Sequence, residues 1–147
     1  MKNRYSPIPS FLSIKFDSNL KLDNANFIRV FNSNKGTIDI DREDDSYNWR
    51  ADNFPIDELE LSIGSNQFDR IDGIINGEGS ISLDLSNLDG RLAWSLGKYR
   101  NIKLANSLFN FSVINNSFYV NSSLYPIDGG IIEVEYDSNK NNLINSE

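Results

Sequence analysis

The chain has no cysteine and no histidine among its 147 residues. Without cysteine there is neither a disulfide framework nor a thiolate metal site, and an oxidising compartment is permitted but not required. Without histidine the usual general base and the commonest metal ligand are missing. Positive charge is scarce too: 14 Lys and Arg stand against 21 Asp and Glu, a net charge of −7 with no long basic run. This argues against a groove that must neutralise phosphates, and no nucleic-acid partner is expected. No stretch approaches the roughly 18–20 apolar residues of a membrane span. Met1-Lys2-Asn3-Arg4 is basic, but Pro7 and Pro9 interrupt the next few residues, and no apolar signal core of about 7–15 residues appears.

What remains is 39% hydrophobic and 12% aromatic, enough for a core. The length fits one domain or a slice of a larger repetitive one. Apolar residues recur at every second position through short runs separated by Gly, Asn, Asp or Pro, the signature of strands wet on one face. The runs begin at Phe11-Leu12-Ser13-Ile14-Lys15-Phe16 and continue through Leu20–Leu22, Phe27–Phe31, Gly36–Asp41 and Tyr47–Ala51. Asn53-Phe54-Pro55-Ile56-Asp57-Glu58-Leu59 carries a cap, an early proline and first-turn acids, which predicts one short helix near residues 54–61. Strands resume after Gly64, and Asp89-Gly90 signals a hairpin turn. Leu20–Phe27 and Ile102–Phe109 are similar enough to hint at internal repetition.

Alternation assigns one inward face to Ile75, Ile81, Leu83, Leu85, Leu92, Trp94, Leu96, Ile102, Leu104, Phe109, Phe111, Val113, Phe118, Val120, Leu124, Ile132, Val134 and Tyr136. At about 25 cal/mol per Å² of apolar area, leaving these side chains wet costs tens of kcal/mol, more than the ~5–15 kcal/mol stability of a domain. A second sheet, a fold-over of the same sheet, or an apolar ligand must cover them. The first would make a closed β-sandwich or solenoid suited to protein interaction, and the others a groove.

No constellation of catalytic residues stands out. Ser95-Leu96-Gly97-Lys98 matches the Ser-x-x-Lys pattern, but that chemistry needs a helix start, and this Ser sits late in a strand. Gly73, Gly77 and Gly79 lie along a strand rather than in a phosphate loop. Asp39, Asp41, Glu43, Asp44 and Asp45 lack EF-hand spacing and suit a solvated strand and turn. Glu133 and Glu135 are an i, i+2 pair on a wet face. Asn110, Asn115 and Asn121 head Asn-x-Ser triplets of the kind that arise by chance in an Asn- and Ser-rich chain. Trp49 and Trp94 sit in inward register, as core or as lining for a lipid-like ligand.

Four segments carry a family resemblance: Asn53–Leu59; Asp72-Gly73-Ile74-Ile75-Asn76-Gly77-Glu78-Gly79; Asp89-Gly90-Arg91-Leu92; and Leu124–Val134 with Gly129-Gly130. Their order resembles repeat sequence from the TamB-like translocation and assembly module family of bacterial envelopes, especially its cyanobacterial and plastid branch, over residues 48–137. The resemblance implies an all-β, antiparallel repetitive sheet folded over as a β-taco or open groove. The expected division is an N-terminal β segment at 1–46, a TamB-like β repeat segment at 47–137 and a disordered or truncated tail at 138–147. The groove would be lined by Ile75, Ile81, Leu83, Leu85, Leu92, Trp94, Leu96, Phe109, Phe111, Val113, Phe118, Val120 and Val134. Phospholipid acyl chains would be its ligand, an outer-membrane barrel-assembly protein its partner through a parent chain, and the periplasm or cell envelope its location. It implies no enzyme activity, cofactor or metal. Measured against a full family member, with its anchor and C-terminal domain, the expectation is an internal segment or a truncated product.

Overall fold

The computed structural model describes residues 10–31, 33–56, 59–62, 68–99 and 101–146, with backbone placement alone at 59–62, 68–70 and 140–146. Its elements are β1 (Ser10–Phe16), β2 (Leu22–Phe31), β3 (Asn34–Glu43), β4 (Ser46–Pro55), β5 (Leu59–Ser62) and β6 (Phe68–Ser82). Then come β7 (Asn87–Tyr99), β8 (Ile102–Lys103), β9 (Ser107–Ile114), β10 (Ser117–Leu124), β11 (Ile132–Asp137) and β12 (Lys140–Ser146). All twelve belong to one antiparallel sheet ordered β1-β2-β3-β4-β6-β7-β9-β10-β11-β12, with β5 on β6 and β8 on β7. β1 and β12 are the two ends of this path and do not pair with each other, so the sheet is open. The all-β character expected from the alternation is observed, and the antiparallel sheet is open, as the family resemblance implied.

Because partners across an antiparallel ladder share a face, the register can be read as rungs. One rung runs Ile40, Trp49, Gly79, Gly90, Phe111, Val120, Tyr136. The next runs Phe27, Ile38, Ala51, Gly77, Leu92, Phe109, Ser122, Val134. Between them, on the other face, lies Asn26, Asp39, Arg50, Glu78, Arg91, Asn110, Asn121, Glu135. Apolar and polar rungs alternate down the sheet, which gives one greasy face and one wet face.

Trp49 shows how a rung closes. Its indole lies along the sheet, donates from Nε1 to the Asp89 carbonyl at 3.1 Å, and meets the Phe111 ring at 5.8 Å between centroids. That path crosses Gly79 and Gly90, where a Cβ would run into the indole. The glycines are absences that the tryptophan fills. Asp89-Gly90, expected as a turn, is therefore inside β7. The turn falls earlier, at Leu83-Asp84-Leu85-Ser86, with Leu85 at φ 60° and its N–H bonded to the Ser82 carbonyl at 2.9 Å. Asp84 organises it by accepting from Ser82 Oγ at 2.5 Å, Ser86 Oγ at 2.7 Å and the Ser86 N–H at 3.0 Å. Leu83 and Leu85, expected on the inward face, are carried out to solvent by this turn, and Leu85 is 68% exposed.

Further differences concern element boundaries. Phe54 and Pro55 end β4, paired with Ile75 and Ile74, and the Ile56 N–H reaches the Gly73 carbonyl at 2.9 Å. The helix expected at 54–61 is absent: strand pairing captures both of its ends, β4 through Pro55 and β5 from Leu59, while 57–58 lie outside the described residues. Local capping signals lose because Phe54 and Ile56 are both buried against the sheet. β3 pairs with β4, and β11 with β12. The hinted repeat has no structural counterpart at its start, since Leu20 is an exposed turn residue at φ 60° and Ile102 lies in β8.

Two outcomes test this picture. Gly90→Ala puts a methyl into the Trp49 ring and costs about 1–3 kcal/mol of stability, measured by urea unfolding. Hydrogen bonds from Ser82 and then Ser86 lower the Asp84 pKa from 3.8 to about 2. Its contribution is thus complete above pH 3.8 and lost as pH falls towards 2. Thermal melts across that window show a shallower pH dependence for Asp84→Asn than for the unsubstituted chain.

Candidate functional site

A line of backbone irregularities crosses the sheet at one end of the regular rungs. β4 bulges between Ala51 and Phe54. The β6–β7 ladder shifts between Asp72 and Ile74, with Gly73 at φ 138° and Leu96 at φ 52°. β4, up to Pro55, and β5, from Leu59, both pair along β6, and β8 and β9 both pair along β7 with an interruption at 104–106. Leu104 bridges to Pro126, and its N–H bonds the Gly97 carbonyl at 2.8 Å. Hydrogen bonding from Ala105 to Tyr125 at 2.7 Å and from Ile127 to Lys103 at 3.0 Å carries the line into the β10–β11 connection. Bulges, glycine and proline at matched positions on successive strands form a crease.

The crease is filled from the apolar side. Trp94 Nε1 donates to the Asp72 carbonyl at 3.1 Å, and its ring covers the positions where a Cβ on Gly73 or Gly97 would stand. Phe109 packs on it at 5.9 Å between centroids. Leu104, 3% exposed, closes the same end. This repeats the Trp49 arrangement one block along the strands.

A cavity of about 540 Å³ straddles the crease. Ile71, Tyr99 and Ile102 line it on one side of the crease, and Ile75, Leu92 and Phe109 on the other. Ile56 and Trp94 lie along the line itself, and Leu124, Ile132 and Val134 form the far wall. No lining residue carries a charge, and Tyr99 and Trp94 hold the only polar side-chain atoms. From Ile71 on β6 to Ile132 on β11 is four ladder steps, about 19 Å along a flat sheet. That length is comparable with the ~15 Å depth of one leaflet's hydrocarbon in a bilayer. The site is thus an apolar trough running across the strands.

The protein's surface agrees with an uncovered face. Among the described residues only seven hydrophobic side chains are buried, while Phe27, Ile38, Ile40, Ile75, Leu92 and Phe109 are covered only in part.

Of the thirteen residues expected to line a groove, Ile75, Leu92, Trp94, Phe109 and Val134 border the trough. Ile81, Phe111, Val113 and Val120 share its face on rungs nearer the β6–β7 turn, half-buried and outside the trough. Phe118, on the same face, is 40% exposed and stacks on Tyr136 at 5.9 Å. Leu83 and Leu85 are turn residues. Leu96, placed inward by simple alternation, is 76% exposed because its left-handed backbone turns it out at the crease. Ile102, Leu124 and Ile132, expected on the inward face but not in the groove, border the trough too, and so do Ile56, Ile71 and Tyr99, which were assigned to neither. Counting back by twos from Ile75 through Gly73 to Ile71 would have found one of them.

The residues weighed for chemistry are dispersed. Ser95 Oγ donates to the Ile74 carbonyl at 3.4 Å, and Lys98 lies beyond the ladder shift. Asp39 accepts from Asn26 and from Thr37 Oγ1, the latter at 3.2 Å. Glu133 and Glu135 are exposed on β11. Among the described residues no three acidic groups converge as metal ligands do. No family model, no curated protein and no solved structure matches this chain.

Two substitutions at the crease separate its inside from its outside. Leu104→Ala costs about 2–5 kcal/mol in urea unfolding because it empties the closed end. Leu96→Ser changes stability by no more than about 0.5 kcal/mol, since that side chain is in water.

Proposed function

We propose that this chain is a non-enzymatic carrier surface whose apolar trough takes the acyl chains of phospholipids. The observation that carries the reading is the trough itself: long, open, uncharged and borne on a sheet whose other face is polar. Cavities of a few hundred Å³ with apolar walls are the usual form of small-ligand sites. Each methylene held in such walls rather than in water contributes about 0.8 kcal/mol, which offsets the loss of the same contacts when a chain leaves a bilayer. The resemblance to TamB-type repeats extends this to a segment of an envelope-bridging protein. In that setting the trough would pass phospholipid between inner and outer membranes or support outer-membrane protein assembly, in the periplasm and beside a barrel-assembly partner.

The two tryptophans supply the test. Trp94 borders the trough and Trp49 does not, so a Trp49→Phe variant leaves one reporter at the site. Titration with vesicles of phosphatidylcholine brominated along its acyl chains quenches that emission, and unbrominated lipid does not. Leu92→Asp, which places a charge in the lining, lowers the apparent affinity at least tenfold. Absence of quenching by a variant that keeps its β-sheet circular dichroism spectrum would overturn the proposal.

A further inference from the structure

Among the described residues the first strand of the sheet is an edge with nothing paired on its outer side. All seven residues of β1 are exposed, including Phe11 and Leu12, each at 64%. Among the described residues its only ladder partner is β2. Edge strands are normally blunted by charge, proline or bulges. Within Ser10–Phe16 there is no proline, Lys15 is the only charge, and the sole irregularity falls at Lys15/Phe16.

The strand is also complementary to itself. An antiparallel copy centred on Ser13 pairs all seven residues and leaves none over. Leu12 then faces Ile14 of the second copy, and Ile14 faces its Leu12, both on the apolar face. On the polar face Phe11 lies opposite the second copy's Lys15, a cation against a ring. Ser13 meets Ser13. A centre on Lys15 would oppose two like charges, which is destabilising. Centres on Leu12 or Ile14 avoid that clash but leave part of the strand unpaired. A two-fold axis perpendicular to the sheet keeps both apolar faces on one side, as an isologous contact requires.

We propose that two copies of this chain associate through β1, antiparallel and centred on Ser13, to form one continuous sheet. The inference rests on the edge and is independent of what the trough binds. With −7 on each copy, association strengthens as salt screens the repulsion.

The chain has no cysteine, so a single introduced thiol reports the register without background. Directly opposed residues have Cα atoms about 4.5–5.5 Å apart, inside the ~4.4–6.8 Å range that a disulfide spans. Under mild oxidation Ser13→Cys gives a disulfide-linked dimer in high yield. Ile14→Cys, whose partner in this register is Leu12, gives at least tenfold less. Sedimentation of the unsubstituted chain at tens of micromolar shows a dimer, which Ile14→Lys shifts to monomer while the circular dichroism spectrum is retained. A monomeric unsubstituted chain, or equal cross-linking at positions 13 and 14, would overturn the proposal.

Discussion

Everything in this sheet hangs on the fit of a tryptophan over a neighbour that has no side chain. Trp49 crosses Gly79 and Gly90 to reach the Asp89 carbonyl, and Trp94 covers Gly73 and Gly97 to reach the Asp72 carbonyl. Each indole spans adjacent strands and ends in a directed hydrogen bond, so it fixes which residue lies opposite which. A slip of one residue in a ladder would turn every side chain to the wrong face. It would also set the indoles against side chains instead of glycines. Register is therefore held by two shape-matched contacts as well as by the alternating pattern.

The wet face has its own means of holding register. Along one rung Asp39, Arg50, Glu78 and Arg91 succeed one another with alternating sign. Arg91 meets Glu78 at 3.0 Å, both largely exposed, and an ion pair of that kind contributes at most about 1 kcal/mol. Its larger effect is selective: a shifted ladder would lose the alternation of sign along this rung. Arg29 adds a fixed point near the β4 bulge, where it is buried and donates to the Pro55 carbonyl at 2.7 Å. That contact ties β2 to the end of β4, past the position where β3 stops pairing with it.

The strand character of the chain was plain from its period-two pattern, and so was the division into an apolar and a polar face. The interruptions were not legible, because they are decided between strands. Pro55 carries a helix-start signal in the local sequence, yet it is one of the most buried residues of a strand end. Asp89-Gly90 has turn chemistry, but the space above Gly90 is needed by a tryptophan 41 positions earlier in the chain. Leu96 fits the alternation perfectly and is thrown outward by a one-residue shift against β6. The trough lies on the crease that these interruptions form, so pattern-reading found the walls on the regular side, Ile75, Leu92 and Phe109, and missed Ile71 and Tyr99 beyond it.

That placement links the site to the stability of the fold. Regular rungs by themselves give a flat greasy face, which has area but no enclosure. The crease sets residues from either side of it around one space, and its cost in backbone strain is met by burying Trp94, Leu104, Phe54 and Ile56 along the line. Those four account for most of the small core that the sheet possesses, so the residues that shape the trough are also those that hold the chain together. An apolar occupant lying against Leu92, Phe109 and Val134 would extend the same core by covering surface that is now only half-covered. Anything that binds the folded chain and not the unfolded one adds to its stability by mass action. In a sheet with so little interior of its own, any such occupant would couple its binding directly to the persistence of the fold.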